Sequence, residues 1–206
     1  MRRDSEEVFE PETRPWVIPW EPEWTADQVI FALEPFVGDE RVRRIRNVDE
    51  QRLGNVVVVL DAPHDPHNGA AIIRTSEAFG LTEVHVVPRQ EPFLASRRVT
   101  CGTENWIDVV SHASPEEAVS SLHARGFEAI ATHPDGELLP SDLAALPKLA
   151  LVFGNEHAGI SEPLARACGR SVRVPMRGFV ESLNVGVTAA ILLSFATQGR
   201  SSDLSA

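Results

Sequence analysis

Residues 55–61 read NVVVVLD, four valines and a leucine unbroken by any polar side chain. A strand with one wet face alternates apolar and polar residues. A continuous β-branched run belongs instead to a strand buried on both faces, as in a parallel sheet covered by helices. Shorter runs of the same character recur at EVHVVP (83–88), IDVV (107–110), FEAIAT (127–132), KLALVF (148–153) and SVRV (171–174), with helical stretches between most of them. SPEEAVSSLHARG marks one such helix clearly. Ser114 is placed to cap it, Pro115 to open it, Glu117 to complete a capping box and Gly126 to stop it. Strands alternating with helices predict an α/β fold, a parallel sheet with helices on both faces.

Before this pattern the chain is different. PWVIPWEPEW holds three of the four tryptophans among closely spaced prolines, which exclude a regular helix. We expect an extended arm over about residues 1–26 that packs on its own domain or on a partner subunit, since exposed tryptophan is costly. TADQVIFALEPF follows as a short helix capped by Thr25. DERVRRIRNVDEQR is a second, capped by Asp39, with Val42, Ile45 and Val48 on one face.

The net charge of −11 argues against nucleic acid as a partner if taken alone. Its distribution matters more than its sum. Residues 41–52 carry five arginines, and Arg89, Arg97 and Arg98 form a second group. Arg41, Arg43 and Arg44 are the candidates for phosphate contact; the alternative is a solvated helix face. MRRDSEEVFE lacks the apolar core of a secretory signal. VGVTAAILLSFA is about half of the roughly 20 residues a membrane span needs. Cys101 and Cys168 are far apart and form no CxxC, so they are expected to be reduced thiols of a cytoplasmic protein.

Three strand ends open into unusual loops, and ligands of such sheets collect at the carboxyl ends of strands. The loops are DAPHDPHNGAAIIRTSEAFG after the first strand, FGNEHAGISEP after the fifth and VPMRGFVESLNVGVTAAILL after the sixth. There is no GxGxxG, and GNEHAG lacks the Gly-Lys-Ser/Thr ending of a phosphate loop. No GxSxG marks a hydrolase nucleophile. His64 and His67 flank Pro66 with no trio of ligands to complete a metal shell, so no metal is expected.

HNGAAIIRTSEAFG (67–80), LVFGNEHAGIS (151–161) and VPMRGFVESLNVGVTAAILL (174–193) together resemble the three motifs of the SpoU, or TrmH-like, branch of the SPOUT RNA methyltransferases. They stand in the family order and at family-like spacing, and the similarity spans about residues 41–195. The resemblance implies a trefoil-knotted sheet, S-adenosyl-L-methionine as methyl donor, RNA as acceptor, and a homodimer whose active sites use both chains. It implies a division into an arm and helical RNA-binding extension (1–53) and a methyltransferase domain (54–206).

The implied activity is methylation of a ribose 2′-OH, most specifically on a D-loop guanosine of tRNA. Ribosomal RNA, an anticodon-loop ribose and a non-catalytic knotted RNA-binding homologue are the alternatives. The motif-one arginine is Arg74, placed at the hydroxyl. Arginine is a poor base, so orientation and phosphate clamping suit it better. Asn68 caps its helix or positions Arg74. Glu156 holds loop amides or a cation, and Ser182 and Asn184 sit at a helix entrance inside the active site. The donor-binding positions are Thr132, Gly154, Val174, Met176 and Leu183. Backbone groups of the 174–183 loop are expected to bind adenine, with Gly178 permitting close approach.

Overall fold

A computed structural model of the chain describes residues 24–88, 93 and 95–204, and the backbone of 8–9. In chain order the elements are β1 (Val8–Phe9), α1 (Ala26–Leu33), α2 (Asp39–Asp49), β2 (Val56–Asp61), α3 (Pro66–Ala78) and β3 (Glu83–Val87). They continue with β4 (Ala95–Ser96), α4 (Arg97–Thr100), β5 (Asp108–Ser111), α5 (Pro115–Ala124), β6 (Glu128–Thr132) and β7 (Leu149–Phe153). α6 (Glu162–Cys168), β8 (Arg170–Val172) and α7 (Val185–Ala196) complete the chain.

Each strand expected from the β-branched runs is present, within a residue or two of its expected bounds. Six of them form one parallel sheet in the order β5-β3-β2-β7-β6-β8. β2 is central and wholly buried. Val56, Val58 and Leu60 face one core layer, shared with Ala70, Ile72 and Ile73 of α3 and Leu192 and Leu193 of α7. Val57 and Val59 face the other, with Val119 and Leu122 of α5 and Leu164 of α6. Two-sided burial is the physical reason for the unbroken valine run.

The helix signals are met with small shifts. Thr25 caps α1 in a complete capping box with Gln28. α2 is capped by Gly38 rather than Asp39, which becomes the first helical residue; its charge still favours the positive helix end. Ser114 accepts from the Glu117 N–H at 3.1 Å, but the Glu117 carboxylate accepts from Ala113 N, one residue before the position of a standard box. Gly126 stops α5 at φ +85°.

β3 and the residue after β5 carry a polar chain that is buried at its two histidines. His85 Nδ1 lies 2.8 Å from His112 Nε2, and His85 Nε2 lies 3.1 Å from Glu83. Glu83 in turn accepts two hydrogen bonds from Arg125, at 2.7 and 3.0 Å. The His85 hydrogen bond, helped by Arg125 and opposed by partial burial, lowers the Glu83 carboxyl to about 2.

α1 and α2 bury no residue of their own: Val42 is half-buried, and Ile45 and Val48 are exposed. The expected packing of the tryptophan arm lies outside the described residues, except that β1 pairs antiparallel with β4 and Trp24 is exposed. Arg89 also lies outside them. Among the described residues no helix is long and apolar enough to cross a membrane.

Candidate active site

All strands of the main sheet run the same way, so the loops after β2, β6, β7 and β8 gather at one edge. α3 opens there. Asp65 caps it by accepting from His67 N at 2.8 Å, and Pro66 holds its first position. Asn68 is therefore not the cap. Its side chain is free to reach across: Asn68 Nδ2 donates to Glu156 Oε1 at 2.9 Å, and Asn68 Oδ1 accepts from Asn184 Nδ2 at 2.9 Å. Asn184 also caps α7, its Oδ1 accepting from Gly186 N and Val187 N. One polar chain, Asn184–Asn68–Glu156, thus ties three loops that lie up to 116 residues apart in sequence.

Glu156 also accepts from the backbone N–H groups of His64 at 3.0 Å and Asp65 at 3.4 Å. Partial burial opposes its ionisation. The hydrogen bonds from Asn68 and from the Glu156, His64 and Asp65 amides outweigh burial and hold the carboxyl below its ordinary range. Of the two roles expected for Glu156, holding loop amides is the one its contacts fit. Its neighbour Asn155 is a second clamp: Nδ2 donates to Ala62 O at 2.7 Å, and Oδ1 accepts from His157 N and Ala158 N. Sequence reasoning missed Asn155, although an Asn beside a Gly in a strand-end loop is a turn signal.

These loops enclose a cavity of about 470 Å³, a size typical of small-ligand clefts. Thr132, Gly154, Val174, Met176 and Leu183 all line it, as do Asn68, Glu156, Ser182 and Asn184. His133, Asn155, Glu181 and Thr188 line it too and were not expected. No backbone N–H between Val174 and Leu183 donates to another backbone group among the described residues. That stretch is a run of amides and carbonyls open to a ligand.

The glycine that geometry demands is Gly154, not Gly178. A Cβ on Gly154 would lie 2.3 Å from Gly159 C and Ile160 N, so the turn closes only over a hydrogen. Gly178 has open space around it and is not in the left-handed region.

Arg74 does not join the cavity of its own chain. It follows Asn68 by six helical residues, which turns it about 120° around the helix. It is exposed, and its Nη1 donates to Val99 O at 3.2 Å and to Cys101 Sγ at 3.4 Å. The expectation that Asn68 positions Arg74 is therefore not met, because Asn68 is engaged by Glu156 and Asn184. Arg41, Arg43 and Arg44 lie exposed on α2, their side chains without an ion-pair or hydrogen-bond partner among the described residues. The other two arginines of that run are structural: Arg46 pairs with Glu34 at 2.8 Å, and Arg52 is buried, donating to Leu81 O at 2.7 Å.

Residues 55–194 match the model of the family described as the SpoU rRNA Methylase family. The chain is 31% identical over 165 residues to the tRNA (guanosine(18)-2′-O)-methyltransferase of Borreliella burgdorferi, covering 80% of this chain and 76% of that protein. Among solved structures it is similar to the TrmH/SpoU tRNA modifying enzyme of A. aeolicus, with TM-score 0.69, 28% identity, and coverage of 78% of this chain and 82% of that one. It is likewise similar to an AdoMet-bound rRNA methyltransferase from Sinorhizobium meliloti, with TM-score 0.65, 32% identity, and coverage of 78% and 61%.

Proposed function

This chain belongs to the SpoU rRNA methylase family, and we propose that it transfers a methyl group from S-adenosyl-L-methionine to a ribose 2′-OH of RNA, with a tRNA guanosine as acceptor. The observation that carries the reading is the Asn184–Asn68–Glu156 chain, which draws the three motifs to one wall of a single cavity. Bound there, the donor would supply an electrophilic methyl group on a sulfonium sulfur that leaves as a neutral thioether, with the proton of the 2′-hydroxyl passing to solvent.

The chain's own residues bind and orient. Thr132, Gly154, Val174, Met176 and Leu183 line the donor cavity, and the unpaired backbone of 174–183 supplies hydrogen bonds to adenine. Glu156 accepts N–H bonds and is held ionised, so it anchors loops rather than taking the hydroxyl proton. Ser182 lines the same cavity beside Asn184 and completes its polar wall. Arg74 orients the acceptor ribose and clamps its phosphate.

Arg74 lies outside its own cavity, and that supports a homodimer in which it serves the partner's site. Phe179, Val180, Leu183 and Val187, apolar and exposed around the cavity mouth, fit a partner's surface. We also infer that the segment running into the 174–183 loop threads a trefoil knot. The tight crossings support this: a Cβ on Gly136 would lie 2.5 Å from Val172 C, and Gly154 is pinned against Gly159 and Ile160. The division into an arm and RNA-binding extension over 1–53 and a methyltransferase domain over 54–206 is part of the same proposal. So are the phosphate contacts of Arg41, Arg43 and Arg44, and action in the cytoplasm.

The test is methyl transfer from labelled S-adenosylmethionine to bulk tRNA and bulk rRNA, followed by nucleoside analysis. A 2′-O-methylguanosine product in tRNA is the expected result. Label in rRNA alone would replace the substrate, and no label in either would favour the non-catalytic homologue.

A further inference from the structure

We propose that the cleft between α2 and the amino ends of β2 and β5 is a second RNA site, in which Trp106 stacks an unpaired base while Arg41 and Arg44 hold the adjoining phosphates. The proposal rests on the reading of the chain as an RNA methyltransferase and adds a binding point distant from the chemistry. Arg41, Arg44, Ile45 and Val48 recur at helical spacing and so share one face of α2. All four line a cavity of about 710 Å³. Trp106 also lines it and is 49% exposed, a large flat apolar surface left to water. Its backbone is held from behind, because the buried Arg52 guanidinium donates to the carbonyls of Trp106 and Leu81.

An indole plate and guanidinium groups lining one cleft match the chemistry of single-stranded nucleic acid. Bases stack on aromatic faces, and arginines take the phosphates. Glu40, Asp49 and Glu77 share the cleft. Their charge disfavours a ligand held by phosphate alone and favours one recognised through a neutral base, with the phosphates confined to the Arg41 and Arg44 side. Arg52 and Trp106 precede their strands, whereas Thr132 and Gly154 end or follow theirs. The two clefts therefore lie at opposite ends of a parallel sheet, separated by about 17 Å or more for five-residue strands. An RNA that fills both is held at a point remote from the methylated ribose.

The full-length protein and an unmodified tRNA transcript provide the test. Trp106→Ala is expected to weaken RNA binding by about 5- to 100-fold, and Trp106→Phe by less than about 3-fold. S-adenosylmethionine affinity and kcat at saturating RNA stay unchanged, while KM for RNA rises. To read the site without altering Trp106, Trp16, Trp20 and Trp24 are replaced by Phe. The remaining emission is expected to be quenched on saturation with tRNA and unmoved by S-adenosylmethionine. Unchanged emission with bound RNA overturns the proposal, as does a folded Trp106→Ala protein that binds RNA like the wild type. Emission that follows protein concentration without RNA assigns the cleft to a second copy and also overturns it. In these cases wild-type methyl transfer to tRNA leaves the methyltransferase reading standing; a wild type that methylates no RNA removes both.

Discussion

Arg74 lies outside the cavity of its own chain, whereas Glu156 anchors the cavity wall. Arg74→Ala is expected to lower methyl transfer at least about 10²-fold, the usual cost of losing a group that acts at the reacting atoms. S-adenosylmethionine affinity should stay within a few-fold, because Arg74 does not line the cavity proposed to hold the donor. Turnover above about a tenth of wild type would remove it from the reaction. Mixing Arg74→Ala with Asn184→Ala chains adds a sharper measurement. If Arg74 serves the partner's site, mixed dimers regain activity that neither parent has. Glu156→Gln has a different signature. One carboxylate oxygen becomes an NH₂ facing N–H donors, so donor affinity, turnover and thermal stability should all fall, the last by about 1–3 kcal/mol. Calorimetric titration alongside a melt would distinguish this loss of loop anchoring from a loss of turnover alone.

At the scale of elements, the turn after β7 is the least tolerant backbone. Gly154→Ala forces a methyl group to within 2.3 Å of the Gly159–Ile160 peptide, so the turn must open. Donor binding is expected to fall by more than about tenfold, while Gly178→Ala, in open space, leaves it nearly unchanged; isothermal titration of both variants decides this. The β3–β5 pair makes a separate prediction about pH. Burial, reinforced by the facing His85, lowers the His112 pKa, with Glu117 opposing. A histidine whose folded value lies below its unfolded value near 6.5 stabilises the fold fully above 6.5 and loses that contribution as pH falls further. Melting temperature should therefore drop as pH goes from about 7.5 to 5. The slope should flatten in His112→Gln, which keeps a donor toward His85 but cannot be protonated. Glu83, lowered to about 2, loses its contribution only between about 4.5 and 2 and leaves that window clear.

For the whole molecule, the −11 charge and the exposed α2 arginines pull RNA binding in opposite directions. Replacing Arg41, Arg43 and Arg44 by Glu should weaken tRNA binding and reduce the slope of log affinity against log salt by about one unit for each phosphate no longer neutralised. An unchanged slope in filter binding would make these arginines a solvated face. The sheet could be read from local pattern, because β2 must be wet on neither side and its valine run says so. Helix ends such as Thr25, Ser114 and Gly126 were legible for the same reason, since caps act within a few residues. The five expected donor-binding positions and the polar residues of motifs two and three could be named from the family resemblance, and all of them line one cavity. The partners of those residues could not. Asn68 bonds Asn184 across 116 residues, and Asp65 takes the cap that frees it. The burial of Arg52 depends on a carbonyl 54 residues away, and the need for glycine at 154 on a turn closing on itself. The sequence by itself determined the elements and the two-sided burial of the central strand, because these follow from periodicity and local hydrogen bonding, while the expected site residues came from the family resemblance. Only the tertiary structure decided which way each side chain points and what it meets. That took Arg74 out of its own cavity and put Trp106 and Arg41 on the walls of one cleft, since such placements depend on where the chain returns in space.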